Sequence, residues 1–145
     1  MIRFTIPGPP IGKGRARCSC VGGKPRMYTP AETRAYEATV GAAGLLAVQR
    51  HKAKGQPWPM TTKDEYTLLV RVWHVQDKRK RPDLANVVKA VEDGLNGVAW
   101  RDDRYEVASS SEAEYSPGET PRVEVWVMPY RMRVVDAALG LRVAA

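Results

Sequence analysis

Apolar and polar residues alternate from the start of the chain. Ile2, Phe4 and Ile6 are separated by Arg3 and Thr5, the period of a strand with one buried face. Pro7, Gly8, Pro9 and Pro10 end that pattern, and residues 8–28 then scatter Gly8, Gly12, Gly14, Gly22 and Gly23 among basic side chains, which predicts a long irregular arm. At Thr29-Pro30-Ala31-Glu32 the pattern becomes helical, with Thr29 read as the cap, Pro30 in the first turn and Glu32 completing a capping box. This helix is expected to run to about His51 on a narrow stripe of Tyr36, Val40, Ala43 and Ala47, with Gly41 and Gly44 weakening it or permitting close packing. Gly55 and Pro57 close the element.

Tyr66 to Val75 is rich in Val, Leu, Tyr and Trp and predicts a buried strand. From Asp83 to Asn96 the period is helical again: Leu84, Val87, Val88, Val91 and Leu95 fall within an arc of about 100°. The other side carries Ala85, Asn86, Lys89, Glu92, Asp93 and Asn96, with Ala85, Lys89 and Asp93 successive neighbours along one edge. A turn through Gly97 leads to Asp102 and Asp103, then to a strand near Arg104 to Tyr115. After a turn at Pro117 and Gly118, Val123, Val125 and Val127 alternate with Glu124, Trp126 and Met128, predicting a last strand in a hairpin-like pair with the one before. The order β-α-β-α-β-β predicts an α+β fold, a small mixed sheet packed by two main helices. One compact domain over residues 1–130 is expected, followed by a tail, 131–145, that suits a short helix.

Composition adds a partner class. The 145 residues suffice for one core, and no apolar stretch approaches the ~20 residues a membrane-spanning helix needs. The prolines after Ile6 argue against a secretory signal, so a cytoplasmic location is expected. Cys18 and Cys20 sit one residue apart and supply half a zinc tetrad, which neither His51 nor His74 completes; they read as ordinary thiols. The net charge of +7 is clustered. Lys13, Arg15, Arg17, Lys24 and Arg26 share a segment without acids, and Lys78, Arg79, Lys80 and Arg81 are consecutive, which points to phosphate contacts by at least one group. A single-strand-binding module fits less well, because the four tryptophans and six tyrosines are dispersed.

Three carboxylates bound the chemistry. Asp83 opens the second helix and Asp102 and Asp103 follow its far end, so a strand turning back from Gly97 could bring hard oxygen ligands together, a set that suits Mg²⁺. Asp83 reads equally as a helix cap, the Asp pair as a turn, and Lys89 as a surface lysine paired with Asp93. Spacing alone does not choose.

The stretch Arg81-Pro82-Asp83-Leu84-Ala85-Asn86-Val87-Val88-Lys89-Ala90, continuing to Asp93-Gly94-Leu95-Asn96-Gly97 and Trp100-Arg101-Asp102-Asp103, resembles the RusA family of Holliday junction resolvases. So do Ile6-Pro7-Gly8-Pro9-Pro10, Lys13, Arg15, Arg17, Tyr28-Thr29-Pro30 and Tyr36-Glu37, and the likeness spans roughly residues 2 to 128. The resemblance implies a homodimeric endonuclease that needs Mg²⁺ or Mn²⁺ and cuts opposed strands of a four-way DNA junction in recombination and repair. It implies metal ligation by Asp83 and Asp103, support from Asp102, catalysis by Lys89, and DNA contacts from Lys13, Arg15, Arg17, Arg26 and Lys78 to Arg81. The family motif places a second aspartate where this chain has Ala85, so impaired cleavage is expected. Two accounts of Ala85 stand: an inactivating substitution in an active enzyme, favoured because the other motif positions are intact, or a natural variant. The competing function is a non-catalytic junction or branched-DNA binding protein of the same fold.

Overall fold

The computed structural model describes residues 1–56, 58, 65–75 and 81–130. Lys78, Arg79 and Lys80 and the tail from 131 to 145 lie outside the described residues.

The elements in chain order are β1 (Ile2–Pro7), β2 (Arg17–Val21), β3 (Lys24–Tyr28), α1 (Ala31–Ala53), β4 (Tyr66–His74), α2 (Leu84–Leu95), a 3-10 turn (Asp103–Tyr105), β5 (Glu106–Tyr115) and β6 (Arg122–Pro129). Four strands form a mixed sheet in the order β1-β6-β4-β5, and β2 pairs with β3 separately. The α+β architecture with two helices is as expected.

Alternation builds the sheet's inner face. Ile2 and Ile6 of β1, Leu68, Val70 and Val72 of β4, and Val123, Val125 and Val127 of β6 are all buried. Val87, Ala90, Val91 and Leu95 of α2 and Tyr36, Val40, Ala47 and Val48 of α1 join them in one core cluster. The opposite face carries Arg122 over Trp73 at 4.1 Å and Arg3 over Trp126 at 4.9 Å, with Arg122 also bonded to Glu124 at 2.9 Å. The helices cross where side chains are missing: a Cβ on Gly94 would stand 2.7 Å from Glu37 O, and one on Gly41 would stand 2.9 Å from Gly94 O. Close packing is therefore the role of Gly41. No helix among the described residues is long and apolar enough to cross a membrane.

Three expectations are corrected. β5 and β6 are not a hairpin pair: β6 runs antiparallel between β1 and β4, while β5 lies parallel to β4 at the edge. A parallel pair needs a crossover, and α2 supplies it between β4 and β5. Thr29 does not cap α1; Pro30 is the N-cap, with no side-chain cap bond, so the helix begins one residue later than a Thr29 cap requires. Finally, the arm is only half irregular. Gly22 and Gly23, with φ of 59° and 75°, form the two-residue turn of a β2–β3 hairpin, because both central positions need the left-handed region that glycine occupies freely.

Candidate active site

Helix α2 organises the site. Asp83 caps it, its carboxylate accepting from Asn86 N at 3.3 Å, and the apolar face turns Lys89 toward the opposite side. The chain then tightens: Gly97, at φ 74°, donates to Trp100 O at 2.7 Å, and Trp100 Nε1 donates to Asn96 Oδ1 at 2.9 Å. Trp100 stacks on Tyr66 of β4, with ring centroids 4.1 Å apart, and Tyr66 OH donates to Asp103 O at 3.3 Å. These contacts fix the 3-10 turn so that the Asp103 carboxylate meets the Lys89 ammonium.

Lys89 is the hub of an acidic cluster. Besides Asp103 it faces Glu92 Oε2 at 3.4 Å and Asp93 Oδ1 at 3.6 Å. Its hydrogen bond to Asp103 raises the lysine pKa above its ordinary value, and the same bond holds the Asp103 carboxyl below its own. Glu106, at the start of β5, is pushed up to about 7, first by burial and then by the nearby charges of Glu92 and Asp103, although Ser109 opposes the shift. Its Oε2 is enclosed and has no hydrogen-bond partner among the described residues. Ala85 lies exposed on the same edge, one turn before Lys89.

The basic segments divide. Lys13 is pinned, its ammonium paired with Asp93 and 3.6 Å from Glu37 Oε1, while its amide donates to Asn86 O at 2.8 Å. It ties the arm to both helices. Gly14 N donates to Thr33 Oγ1 at 3.1 Å and continues the attachment. Arg15, Arg17 and Arg26 are exposed. Cross-strand register places Arg17, Lys24, Arg26 and Tyr28 on one face of the hairpin and Cys18, Cys20, Pro25 and Met27 on the other. Arg81 and Asp83 lie between two cavities, one of about 580 Å³ beside Pro10, Gly12 and Lys13, the other of about 720 Å³ beside His74, Ser111 and Glu112.

The sequence pattern of the family described as Endodeoxyribonuclease RusA matches residues 7–128, which hold every element described here except the first residues of β1 and the last of β6. The chain belongs to the RusA family. Uncharacterized protein YqaN of Bacillus subtilis (strain 168) is 30% identical over 140 residues, covering 87% of this chain and 94% of YqaN. RusA membership implies an endodeoxyribonuclease acting on junction DNA, and RusA nucleases generally depend on a divalent metal ion.

The described residues do not form a ready metal centre. No group of three or more His, Cys, Asp or Glu among them is placed to hold an ion. Each expected ligand has another partner: Asp83 caps α2, Asp103 binds Lys89, and Asp102 accepts from Arg104 N at 3.1 Å and pairs with its guanidinium at 3.2 Å. Ala85 contributes no oxygen. The sequence reading brought Lys89 and Asp103 together but missed Glu37 and Glu106 as members of this network, and missed His74 as a cavity residue. A helical wheel could have paired Glu92 with Lys89, but Glu106 enters only because β5 runs beside α2.

Proposed function

We propose that this chain binds four-way DNA junctions as a twofold-symmetric dimer and that, with alanine at position 85, it cuts them poorly or not at all. The reading is carried by one observation: Lys89 is held by Asp103 on the edge of α2 that also bears Ala85 one turn earlier. An ammonium fixed there would stabilise charge growing on the non-bridging oxygens of a phosphodiester. Asp83, Asp103 and a carboxylate at position 85 would make the hard-oxygen donor set that Mg²⁺ or Mn²⁺ takes, with Asp102 in support. Without an oxygen at 85 that set is short of one ligand.

The remaining residues bind and orient. Exposed Arg15, Arg17 and Arg26, with Arg81 beside Asp83, offer guanidinium groups to phosphates around the branch, and Lys78, Arg79 and Lys80 extend that charge in sequence. Such contacts supply affinity with little base information. Two equivalent sites related by a dimer axis suit a four-way junction, which has its own approximate twofold symmetry. The second reading, a non-catalytic binding protein, is favoured by the engagement of Asp83, Asp102 and Asp103 with protein partners.

Ala85→Asp separates the two. Restored to a carboxylate, the protein should nick opposed strands of a four-way junction symmetrically in Mg²⁺ or Mn²⁺ and not in EDTA, whereas the Ala85 form shows little incision. Equal cleavage by both proteins would make the carboxylate dispensable. A folded, junction-binding Ala85→Asp protein that never cuts would establish the binding-only reading.

A further inference from the structure

The β2–β3 hairpin contributes nothing to the core cluster. Of its ten strand residues only Ser19 is partly covered, and the rest are exposed. Both faces of the ribbon therefore meet solvent, and they differ in chemistry. One carries Arg17, Lys24, Arg26 and Tyr28, the other Cys18, Cys20, Pro25 and Met27. On that second face both cysteines are free and exposed, and Met27 is 63% exposed, so neither the thiols nor the thioether is there to fill a core.

Strand register brings three sulfur-bearing residues to one patch. Cys18 and Cys20 are two residues apart on β2, which sets their Cα atoms about 6.6 Å apart, near the upper limit for a disulfide. Two Sγ atoms can close that spacing onto one ion through metal–sulfur bonds of about 2.3 Å. Met27 pairs directly with Cys18, so their Cβ atoms are about 5 Å apart. Its unbranched side chain is also long enough for the diagonal to Cys20. Cys18 Sγ has only a long contact, 4.0 Å, to Ser19 O.

We propose that Cys18, Cys20 and Met27 form a three-sulfur site for the soft cation Cu⁺. Thiolate and thioether ligands together select a soft ion. Zn²⁺ takes four donors, and residues 15–28 include no His, Asp or Glu to complete its tetrahedron around two thiolates. Loading releases two thiol protons to solvent, forms two metal–thiolate bonds and one metal–thioether bond, and changes no oxidation state. The bound set carries a single negative charge, which Arg17, Lys24 and Arg26 on the other face of the same ribbon offset. An ion held there ties β2 to β3. The site shares no residue with the Lys89 and Asp103 cluster, so it stands apart from the nuclease reading.

The full-length protein, reduced and kept free of oxygen, can be titrated with Cu⁺ against the chromophoric chelator bicinchoninate, with Zn²⁺ as the contrast. One Cu⁺ per chain should leave the chelator for the protein, with no change in the size-exclusion profile. Cys18→Ser and Cys20→Ser should each abolish that uptake, and Met27→Leu should weaken it about 10-fold. In protein labelled at its methionine methyl groups, Ag⁺, an analogue of Cu⁺ that resists oxidation, should shift the Met27 resonance and leave that of Met128 on β6 in place. All three positions are exposed, so circular dichroism should be the same for every variant. The Ag⁺ shift is read on the unsubstituted protein and depends on no variant folding. An unmoved Met27 methyl overturns the proposal, as does a Met27→Leu protein that binds Cu⁺ as tightly. One Cu⁺ shared between two chains, with association into larger species, also overturns it, because separate thiols would then be bridging molecules. So does displacement of Cu⁺ by an equal concentration of Zn²⁺.

Discussion

Replacing Glu106 by Gln should stabilise the protein at alkaline pH and barely change it in mild acid. The carboxyl group has one oxygen enclosed without a partner among the described residues, and burial, Glu92 and Asp103 move its pKa from 4.5 to about 7. The sign follows from proton binding. Between those two values the folded state holds a proton that the unfolded chain has released, so the contribution to stability is complete below 4.5 and is lost as pH rises through 7. At ~1.4 kcal/mol per unit, the displacement sets a ceiling of ~3 kcal/mol, and partial solvent access reduces this to ~1–2 kcal/mol. Gln keeps the shape of the side chain and never ionises. Urea unfolding of both proteins at pH 5 and pH 8 should therefore give similar unfolding free energies at the lower pH and a Gln value higher by ~1–2 kcal/mol at the upper, with the slope unchanged. The ion pair of Lys89 with Asp103 is present in both proteins and largely cancels from the difference. A Gln variant that is less stable at pH 8, or a difference that does not vary with pH, would refute the reasoning.

Three further expectations follow from the geometry. In an Ala85→Asp background, Lys89→Ala should lower the single-turnover cleavage rate strongly while leaving junction affinity nearly unchanged; a parallel fall in both would make Lys89 a binding residue. Gly94→Ala should cost ~1–3 kcal/mol, because its Cβ would press on Glu37 O at 2.7 Å and Val40 Cβ at 2.8 Å, and chemical unfolding that shows no loss would contradict the close helix crossing. The Ala85 chain should bind a four-way junction more tightly than linear duplex, and Arg17→Ala with Arg26→Ala should flatten the logarithmic salt dependence by about 2, as expected for two lost phosphate contacts. An unchanged slope in gel-shift titrations would remove the hairpin from the DNA interface.

Periodicity made most of the core elements legible, because β1, β4, β6 and α2 repeat their apolar residues at the spacing their backbones demand. Ile2 and Ile6, the Val123-Val125-Val127 series and the Val87-Val91-Leu95 stripe entered the core as read. The pair of Lys89 and Asp103 was signalled only by the family motif, since they are fourteen residues apart and joined by a turn whose geometry depends on Trp100 stacking against Tyr66 of a distant strand. Local pattern also leaves strand order open: β5 and β6 follow one another with a short turn, as hairpin strands do, yet the sheet inserts β6 between β1 and β4. The Gly22-Gly23 turn was readable in principle, but the exposed strands beside it lack the buried alternation that marks a core strand. What only the tertiary structure decided is which charges meet. Lys13 lies eighty residues from Asp93, and Glu106 and His74 acquire their unusual surroundings from β5 and α2 packing around them, a consequence of long-range strand pairing that no local period encodes.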